Sequence, residues 1–265
     1  MRMHDKIEEL LNKIIQGNCL EIMKNIPDNS IDLIFTDPPY NEKYNYRSIG
    51  FTDYRDDYYD FIEKCFIEMK RILKNTGSIY FKHSSRQIHQ ILPLMNKYFF
   101  YRNLIVWLNN SQAHPDNNYD SYYEPLFFYT KSDDYVFNKR AEFRKKPPNY
   151  WSGEGKEFVG LLNNMWYDIP RIVAGCVKTK EGMRDGNLKE HPCSMPVALA
   201  RRAILVSTNE NDIVLDPFIG SGTTAVACKM INRKYIGIEL NADFCEIARR
   251  KIKNIPERID KWCVK

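Results

Sequence analysis

The chain has 265 residues, of which 43% are hydrophobic and 28% are charged; this is typical of a globular protein with one large α/β domain and an insertion, or with two small domains. No apolar run is long enough to cross a membrane and the first residues do not form a signal peptide, so we expect a cytoplasmic protein. Seven cysteines without a Cys-x-x-Cys pair predict reduced thiols, five histidines without ligand spacing predict no metal site, and the net charge of +5 slightly favours a polyanionic partner.

The start of the chain alternates between helix and strand patterns. The predicted elements are a leading helix over residues 5–12, a strand over 13–16 and a helical turn over 20–23. Asn18 and Cys19 follow the strand, where small polar residues usually form a turn. A second set of turn-forming residues at 27–30 separates this region from the next strand.

The central stretch of the chain runs from Ile31 to Tyr40. Its continuous apolar run predicts a buried parallel strand. Pro38 and Pro39 end that strand, because proline lacks an N–H group and fixes φ. Asp37 and Tyr40 are therefore expected at the carboxyl end of a strand, where open α/β sheets bind their ligands.

This stretch suits chemistry on the exocyclic amino group of a nucleobase, a poor nucleophile because its lone pair is delocalised into the ring. The Asp37 carboxylate and the Pro38 carbonyl could each accept one N–H, which would draw the nitrogen towards sp³ geometry and stabilise the positive charge of the attack. Tyr40 offers a flat face for a flipped base. A plain strand that ends in a proline turn with a solvated aspartate explains the same residues equally well.

Helix and strand patterns continue to residue 130. In order, they predict a helix from Tyr54 to residues 75–77, a strand over 78–81, a helix over 87–98, and strands over 103–108 and 124–129. Pro125 fits the start of a strand or a sheet edge. The polar and aromatic loop between the last two strands could contact bases, although inert loops have the same composition.

Regular patterns fade between residues 131 and 190, where six glycines indicate a loop-rich insertion. The basic cluster Arg144-Lys145-Lys146 lies near Tyr150 and Trp151, and such a mixture suits phosphate contact and base stacking as well as a solvated surface. We therefore predict a catalytic and cofactor-binding domain made of residues 1–130 and 191–265, with residues 131–190 inserted into it.

A strand, a glycine turn and a helix follow one another over residues 212–224, and the next strand ends at Glu239. This order is typical of a nucleoside-binding βαβ unit, in which Gly220 and Gly222 let the backbone approach a ligand and Glu239 binds a ribose diol. Residues Gly220 to Ala225 also fit the fingerprint G-x-G-x-x-A, so an NAD-dependent oxidoreductase is an alternative. A dehydrogenase, however, usually carries this unit early in its chain and has no use for the Asp-Pro-Pro-Tyr stretch.

Asp37-Pro38-Pro39-Tyr40 and the segment from Asp216 to Thr224 each resemble a motif of the DNA amino-methyltransferases, which use S-adenosylmethionine. The catalytic motif comes first and the cofactor motif last, which is similar to the β-type order of that family. The resemblance implies an α/β fold with a doubly wound, mostly parallel Rossmann-like sheet. It also implies that residues 131–190 form the target-recognition region.

The resemblance assigns site residues as well. It implies that Asp37, Pro38, Pro39 and Tyr40 are catalytic. The residues that it places near the cofactor are Asn18, Cys19, Asp37, His191, Ser194, Asp216, Phe218, Gly220, Ser221, Gly222, Thr223, Glu239 and Leu240. The chain departs from the family pattern at Cys193-Ser194-Met195 and at Asn109, where the family favours a lysine.

Within this family the resemblance implies methyl transfer to N6 of a flipped adenine in double-stranded DNA, because an aspartate at the position of Asp37 goes mostly with adenine and a serine mostly with cytosine. N4 of cytosine is the alternative acceptor. Pro192-Cys193 resembles the nucleophile of C5-cytosine methyltransferases, but a structural cysteine explains it better. An inactive DNA-binding relative would not need both motifs intact. A homodimer and a cognate restriction endonuclease are further candidate partners.

Overall fold

The computed structural model describes residues 7–43, 45–46, 51–108, 119, 121–141, 143–145, 159–170 and 195–255. The strands in these ranges are β1 (Lys13–Gln16), β2 (Ile31–Thr36), β3 (Asn45–Tyr46), β4 (Phe51–Thr52), β5 (Leu73–Lys82), β6 (Phe100–Leu108), β7 (Tyr123–Thr130), β8 (Phe143–Lys145), β9 (Val159–Leu161), β10 (Met165–Trp166), β11 (Ile213–Asp216) and β12 (Lys234–Glu239). The helices are α1 (Cys19–Met23), α2 (Tyr58–Ile72), α3 (Ile88–Asn96), α4 (Val197–Ser207), α5 (Thr223–Met230) and α6 (Ala242–Lys253), with a 3₁₀ turn at Ser85–Gln87. None of these helices is long and apolar enough to span a bilayer.

Eight strands form one sheet in the order β1-β12-β11-β2-β5-β7-β6-β10. Neighbouring strands are parallel throughout, except that β7 runs antiparallel to both β5 and β6. From the centre of the sheet the chain continues in one direction from β2 to β5 and in the other from β11 to β12. The predicted doubly wound, mostly parallel α/β fold is therefore confirmed.

Helices cover both faces of the sheet, as expected for strands that are apolar on both sides. One core contains buried residues of α1, α2 and α3 together with Ile34 of β2. The opposite core contains buried residues of α4, α5 and α6 together with Leu33 and Phe35 of β2. Alternate residues of the central strand thus pack against different helical layers, because successive strand side chains point to opposite faces.

The structure corrects the predicted boundaries of two helices. Helix α2 begins at Tyr58 rather than Tyr54 and ends at Ile72, and residues 75–77, which were predicted to end it, already belong to β5. Leu73 pairs with Ile31, and the end of β5 also pairs with β2. This pairing overrides the preference of residues 75–77 for a turn. In the predicted leading helix, residues 7–8 are helical but 9–12 form turns, and Asn12 has a φ of 57°, which stops a helix.

Part of the predicted insertion joins the catalytic sheet. Strand β10 pairs in parallel with β6 at the sheet edge, and the indole N–H of Trp107 donates to the carbonyl of Ile169 at 2.8 Å. Asp168 forms a bidentate ion pair with the buried Arg202 of α4, at 2.8 and 2.7 Å. The short strands β8 and β9 form a separate antiparallel pair.

Candidate active site

The two sequence motifs meet at the point where the sheet changes its winding direction. Strands β2 and β11 are neighbours, with Leu33 and Ile34 opposite Val214 and Leu215. Beyond this pairing, the hydroxyl of Thr36 donates to Asp216 at 2.9 Å, across a separation of 180 positions in the chain. Ligands of open α/β sheets bind in the crevice at such a point.

Side chains from neighbouring elements fix the backbone of the Asp-Pro-Pro-Tyr turn. The hydroxyl of Tyr58, at the start of α2, donates to the carbonyl of Pro39 at 2.5 Å. The side-chain amide of Gln87 donates to the carbonyl of Tyr40 at 2.6 Å, and the backbone N–H of Glu42 donates to the Asp53 carboxylate at 3.0 Å. The turn is therefore preorganised before any ligand binds, which favours catalysis by orientation.

A buried histidine supports the same turn. Nε2 of His83 lies 2.7 Å from the hydroxyl of Tyr58. Burial, and then the charge of Lys82, lowers the pKa of His83 to about 3, so the ring is neutral. Because the Tyr58 hydroxyl donates to Pro39, we assign the Nε2–H tautomer, which gives an ordered chain of donors from His83 to the turn.

The Asp37 carboxylate lies in a cluster of polar groups. Its Oδ1 accepts the hydroxyl of Tyr40 at 2.6 Å, and its Oδ2 accepts the ammonium of Lys82 at 3.1 Å. Lys82 also forms an ion pair with Glu124 and a hydrogen bond with Tyr40. The Lys82 side chain is 6% exposed and that of Asp37 is 24% exposed, so the carboxylate is the more accessible of the two charged groups.

The environment shifts both of these ionisable groups. Burial raises the pKa of the Asp37 carboxyl above its ordinary value, and the charge of Lys82 limits that rise. Burial alone would lower the pKa of Lys82, but the carboxylates of Asp37 and Glu124 more than offset it, so the pKa is raised. Lys82 is therefore a permanent cation at the end of β5.

The glycine turn after β11 forms the second half of the site. Gly220 has a φ of 50°, in the left-handed region that favours glycine. Its N–H donates to Oε2 of Glu239 at 3.0 Å, and the N–H of Asn241 donates to Oε1 at 2.8 Å. Burial raises the pKa of Glu239, and these hydrogen bonds oppose the rise. The carboxylate keeps unused lone pairs, and Leu240 beside it is 63% exposed, so an acceptor and an apolar surface lie together as a nucleoside requires.

Asp216 holds the glycine turn through its side chain. Its carboxylate accepts hydrogen bonds from Thr36, from Thr224 at 2.6 Å and from the N–H of Phe218 at 3.1 Å. Burial raises the pKa of Asp216 to about 7, against the effect of these donors. The ring of Phe218 packs edge-on against Phe61, with ring centroids 6.0 Å apart.

The structure shows a reason for Gly222 that the sequence did not suggest. It has a φ of 89°, and a Cβ atom there would lie 2.8 Å from Cβ of Ala248 on α6. Its lack of a side chain allows the close packing of α5 on α6. Ser221 is buried, and the Thr223 hydroxyl donates to the carbonyl of Met195 at 3.3 Å.

The predicted cofactor residues near β1 have structural contacts. The Asn18 side chain caps α1 by accepting the N–H of Leu20 at 2.9 Å. The Cys19 side chain is buried, with its Sγ 4.0 Å from that of Cys65. The N–H of Gly17 donates to the carbonyl of Glu239 at 2.9 Å, which brings this turn to the end of β12. His191, Ser194 and Pro192-Cys193 lie outside the described residues.

Sequence reasoning missed Lys82, Glu124, Tyr58 and His83. Lys82 and Tyr58 contact Asp37 or its turn directly, and Glu124 and His83 each contact one of these two residues. One signal was available. Lys82-His83 directly follows the apolar strand pattern of residues 78–81, and a charge at the end of a buried strand marks the edge where parallel strands bind ligands.

Comparison with known proteins agrees with this geometry. Residues 31–250 match the family model of the N6/N4 methyltransferases, described as DNA methylase. The chain belongs to this family. It is therefore an S-adenosylmethionine-dependent DNA methyltransferase, and the alternative of an NAD-dependent oxidoreductase is wrong.

Relatives of this DNA methylase include the DNA adenine methyltransferase YhdJ of Escherichia coli (strain K12), which is 33% identical and aligns with 90% of this chain and 82% of its own. The type II methyltransferase M.HpaI of Haemophilus parainfluenzae is 31% identical, over 91% of this chain and 74% of its own. The crystal structure of the M1.HpyAVI–SAM complex superimposes with a TM-score of 0.56 at 26% identity, covering 90% of this chain and 98% of the other.

Proposed function

We propose that this DNA methylase transfers a methyl group from S-adenosylmethionine to the exocyclic N6 of an adenine flipped out of double-stranded DNA. The observation that carries the proposal is the position of Asp37, a partly exposed carboxylate on a braced turn beside the glycine turn of β11. The name of the adenine methyltransferase relative supports adenine as the acceptor.

Asp37 and the carbonyl of Pro38 each accept one N–H of the amino group and so make its lone pair available for attack. The ring of Tyr40 stacks on the base. S-adenosylmethionine supplies an electrophilic methyl group on a sulfonium sulfur. The N6–C bond would form as the S–C bond breaks, S-adenosylhomocysteine would leave, and the nitrogen would then release a proton to solvent to restore a neutral amine.

The residues around the glycine turn would hold the methyl donor. Glu239 would accept hydrogen bonds from the ribose hydroxyls, and Phe218 and Leu240 would cover the adenine ring. The backbone of Gly220 and Ser221 would line the turn below it, and Asp216 would keep the turn in shape. For Asn18, Cys19, Gly222 and Thr223 we propose contacts through the backbone, because their side chains or missing side chains serve the fold.

We also propose that target recognition lies in residues 131–190, outside the part that packs on the catalytic sheet. Segment 165–169 is fixed by β10 and by the Asp168–Arg202 ion pair, so the side chains of Trp166, Asp168 and Ile169 serve the fold. Lys139 and Arg140 are exposed, and the basic cluster Arg144-Lys145-Lys146 follows them in the chain. These cations would contact phosphates of the DNA backbone.

Methylation of genomic DNA by the purified chain tests the acceptor. After incubation with labelled S-adenosylmethionine, the DNA is digested to nucleosides and separated by mass. We expect N6-methyl-2′-deoxyadenosine as the product, whereas N4-methyl-2′-deoxycytidine alone would mean that cytosine is the acceptor. Sequencing of the methylated positions then gives the recognition site.

Asp37→Ala is the matched variant for this assay. We expect it to abolish transfer while calorimetry shows S-adenosylmethionine affinity within a few-fold of the wild type, because the carboxylate acts on the base. Methyl transfer by Asp37→Ala would contradict the role of this residue.

The cellular setting is part of the proposal: a cytoplasmic enzyme that works in a restriction–modification system or in epigenetic marking. A cognate endonuclease would cut the unmethylated form of the same site and not the methylated form. A homodimer would double the mass of the particle in light scattering, both free and on DNA.

A further inference from the structure

The hydroxyl of Tyr40 lies between a hydrogen-bond acceptor and a donor. It donates to Oδ1 of Asp37 at 2.6 Å and accepts from the ammonium of Lys82. The three N–H groups of Lys82 face Asp37, Glu124 and Tyr40. Tyr40 is the neutral member of these three partners, so exchanging it costs less than breaking either ion pair.

This arrangement matches one edge of the proposed substrate. Beside the amino group of adenine lies the ring nitrogen N1, and beside that of cytosine lies N3; each base therefore offers an N–H donor next to a nitrogen acceptor. The hydroxyl of Tyr40 likewise presents a hydrogen-bond donor to Asp37 and an acceptor to Lys82. Guanine and thymine offer a carbonyl beside a ring N–H, which would set an acceptor against the Asp37 carboxylate.

We propose that Lys82 reads the base by donating a hydrogen bond to the ring nitrogen beside the reacting amino group, and that the hydroxyl of Tyr40 holds this place until the base enters. The inference rests on the methyl transfer proposed above. On entry, the amino N–H replaces the hydroxyl at Oδ1 of Asp37, and the ring nitrogen replaces the phenol oxygen at Nζ of Lys82. The displaced ring of Tyr40 then stacks on the base.

The burial and charge of Lys82 support this role. A lysine side chain that is 6% exposed is costly unless its charge is paired, and here two carboxylates surround it. Its raised pKa keeps it a donor. One ammonium between two carboxylates carries an excess negative charge, so the pocket favours a neutral base whose amino group gains positive charge during the attack.

The positions of Asp37, Lys82 and Glu124 in the sheet place all three side chains at the edge where one base can contact Asp37 and Lys82. Thr36, the last residue of β2, is paired with Phe81 of β5, so Asp37 and Lys82 follow at the same level of neighbouring strands. Glu124 lies at the start of the antiparallel β7, next to β5, and therefore at the same edge. Three adjacent strands thus present carboxylate, ammonium and carboxylate in one row.

DNA analogues test the inference on the wild-type enzyme. Duplexes carry adenine, 1-deazaadenine or 3-deazaadenine at the position that the enzyme methylates, and single-turnover rates are compared. We expect 1-deazaadenine to react about tenfold or more slowly than 3-deazaadenine, the loss for a hydrogen bond to a charged group. Equal rates with the two analogues would overturn the inference while leaving the proposed function intact. If cytosine is the acceptor, 3-deazacytosine takes the place of 1-deazaadenine, and unmodified cytosine serves as the reference.

Two variants separate recognition from folding. Lys82→Met should lose the distinction between 1-deazaadenine and 3-deazaadenine, and Lys82→Arg should regain part of it; a Lys82→Met enzyme that still discriminates refutes the contact. Tyr40→Phe keeps the ring and removes the hydroxyl, so we expect a lower KM for target DNA with full discrimination. A raised KM in Tyr40→Phe would contradict the place-holding role. Absence of methylation by the wild type would instead defeat the proposed function, and this inference with it.

Discussion

At the scale of single residues, Asp37 combines two opposing requirements. It must lose water to bind the amino group tightly, yet it must keep its charge to accept an N–H. Burial raises its pKa, and the adjacent ammonium of Lys82 limits that rise. The two effects oppose one another, because the pKa of the carboxyl would rise further if burial acted without the charge of Lys82.

The dependence of methyl transfer on pH should report the pKa of the Asp37 carboxyl. The reaction needs the ionised form of Asp37, so the rate should fall as pH drops through a pKa that lies above the ordinary range of aspartate. Lys82→Met removes the charge that lowers this pKa and should move the acid limb to higher pH. Glu124→Gln removes a charge that raises it and should move the limb to lower pH. If the acid limbs of the two variants coincide in single-turnover pH profiles, a group other than Asp37 is titrating.

Glu239 offers a test of the cofactor half alone. Glu239→Gln keeps the size of the side chain but removes its charge, and we expect S-adenosylmethionine to bind more weakly by about 1.5–3 kcal/mol, the usual contribution of a charge-assisted hydrogen bond. Calorimetry gives the affinity. Asp243→Asn, an exposed carboxylate two residues into α6, is the matched control and should leave the affinity unchanged.

At the scale of elements, the helices that flank the site do different work. The start of α2 braces the catalytic turn through the Tyr58 hydroxyl. Helix α5 begins at the glycine turn and packs closely on α6 at Gly222. The position of the cofactor turn therefore depends on how closely two helices approach, in addition to the hydrogen bonds within the turn.

Gly222→Ala tests how strongly the protein depends on the close approach of α5 and α6. The new methyl group would lie 2.8 Å from Cβ of Ala248 and would sit at a left-handed φ, so we expect a loss of stability of about 1–3 kcal/mol. Denaturant unfolding measures it. Ala248→Gly removes the nearest atom, although Cα of residue 248 remains 3.0 Å away, and the double variant should be less destabilised than the sum of the two single variants. Strict additivity would mean that the contact between the two Cβ atoms does not cause the loss.

At the scale of the whole molecule, the excess positive charge is the property that concerns DNA. The basic cluster Arg144-Lys145-Lys146 contributes to a net charge of +5. Counterion release makes DNA affinity fall with salt in proportion to the number of phosphates that the protein neutralises.

Replacing all three residues of this cluster by glutamine should weaken DNA binding and flatten its salt dependence, by a log–log slope of about 0.9 for each phosphate that the variant no longer neutralises. Binding to a target duplex at several salt concentrations measures the slope. Lys251→Gln is the control; it lies on α6 in the basic run Arg249-Arg250-Lys251, whose pattern predicts a solvated helix surface. An unchanged slope in the triple variant would assign its cluster to the solvated surface as well.

Local patterns in the sequence, with the resemblance that two motifs carry, were sufficient to predict the family, the doubly wound α/β fold, seven of the eight strands of the main sheet, and the S-adenosylmethionine-dependent transfer to DNA. Two short stretches carry this information: an apolar run ended by Pro38-Pro39, and a glycine turn between a strand and a helix. Each motif spans only a few residues, and the local backbone conformation explains why each residue type occurs in it.

The groups that surround Asp37, and the reason why Gly222 is a glycine, became visible only in the folded chain. Lys82 and Tyr58 reach the catalytic turn from two separate elements, and Glu124 reaches Lys82 from a third. Ala248 meets Gly222 from a helix that follows the next strand. Such contacts depend on the order of strands in the sheet and on the approach of packed helices. These relations join distant parts of the chain and leave no period or spacing in the sequence.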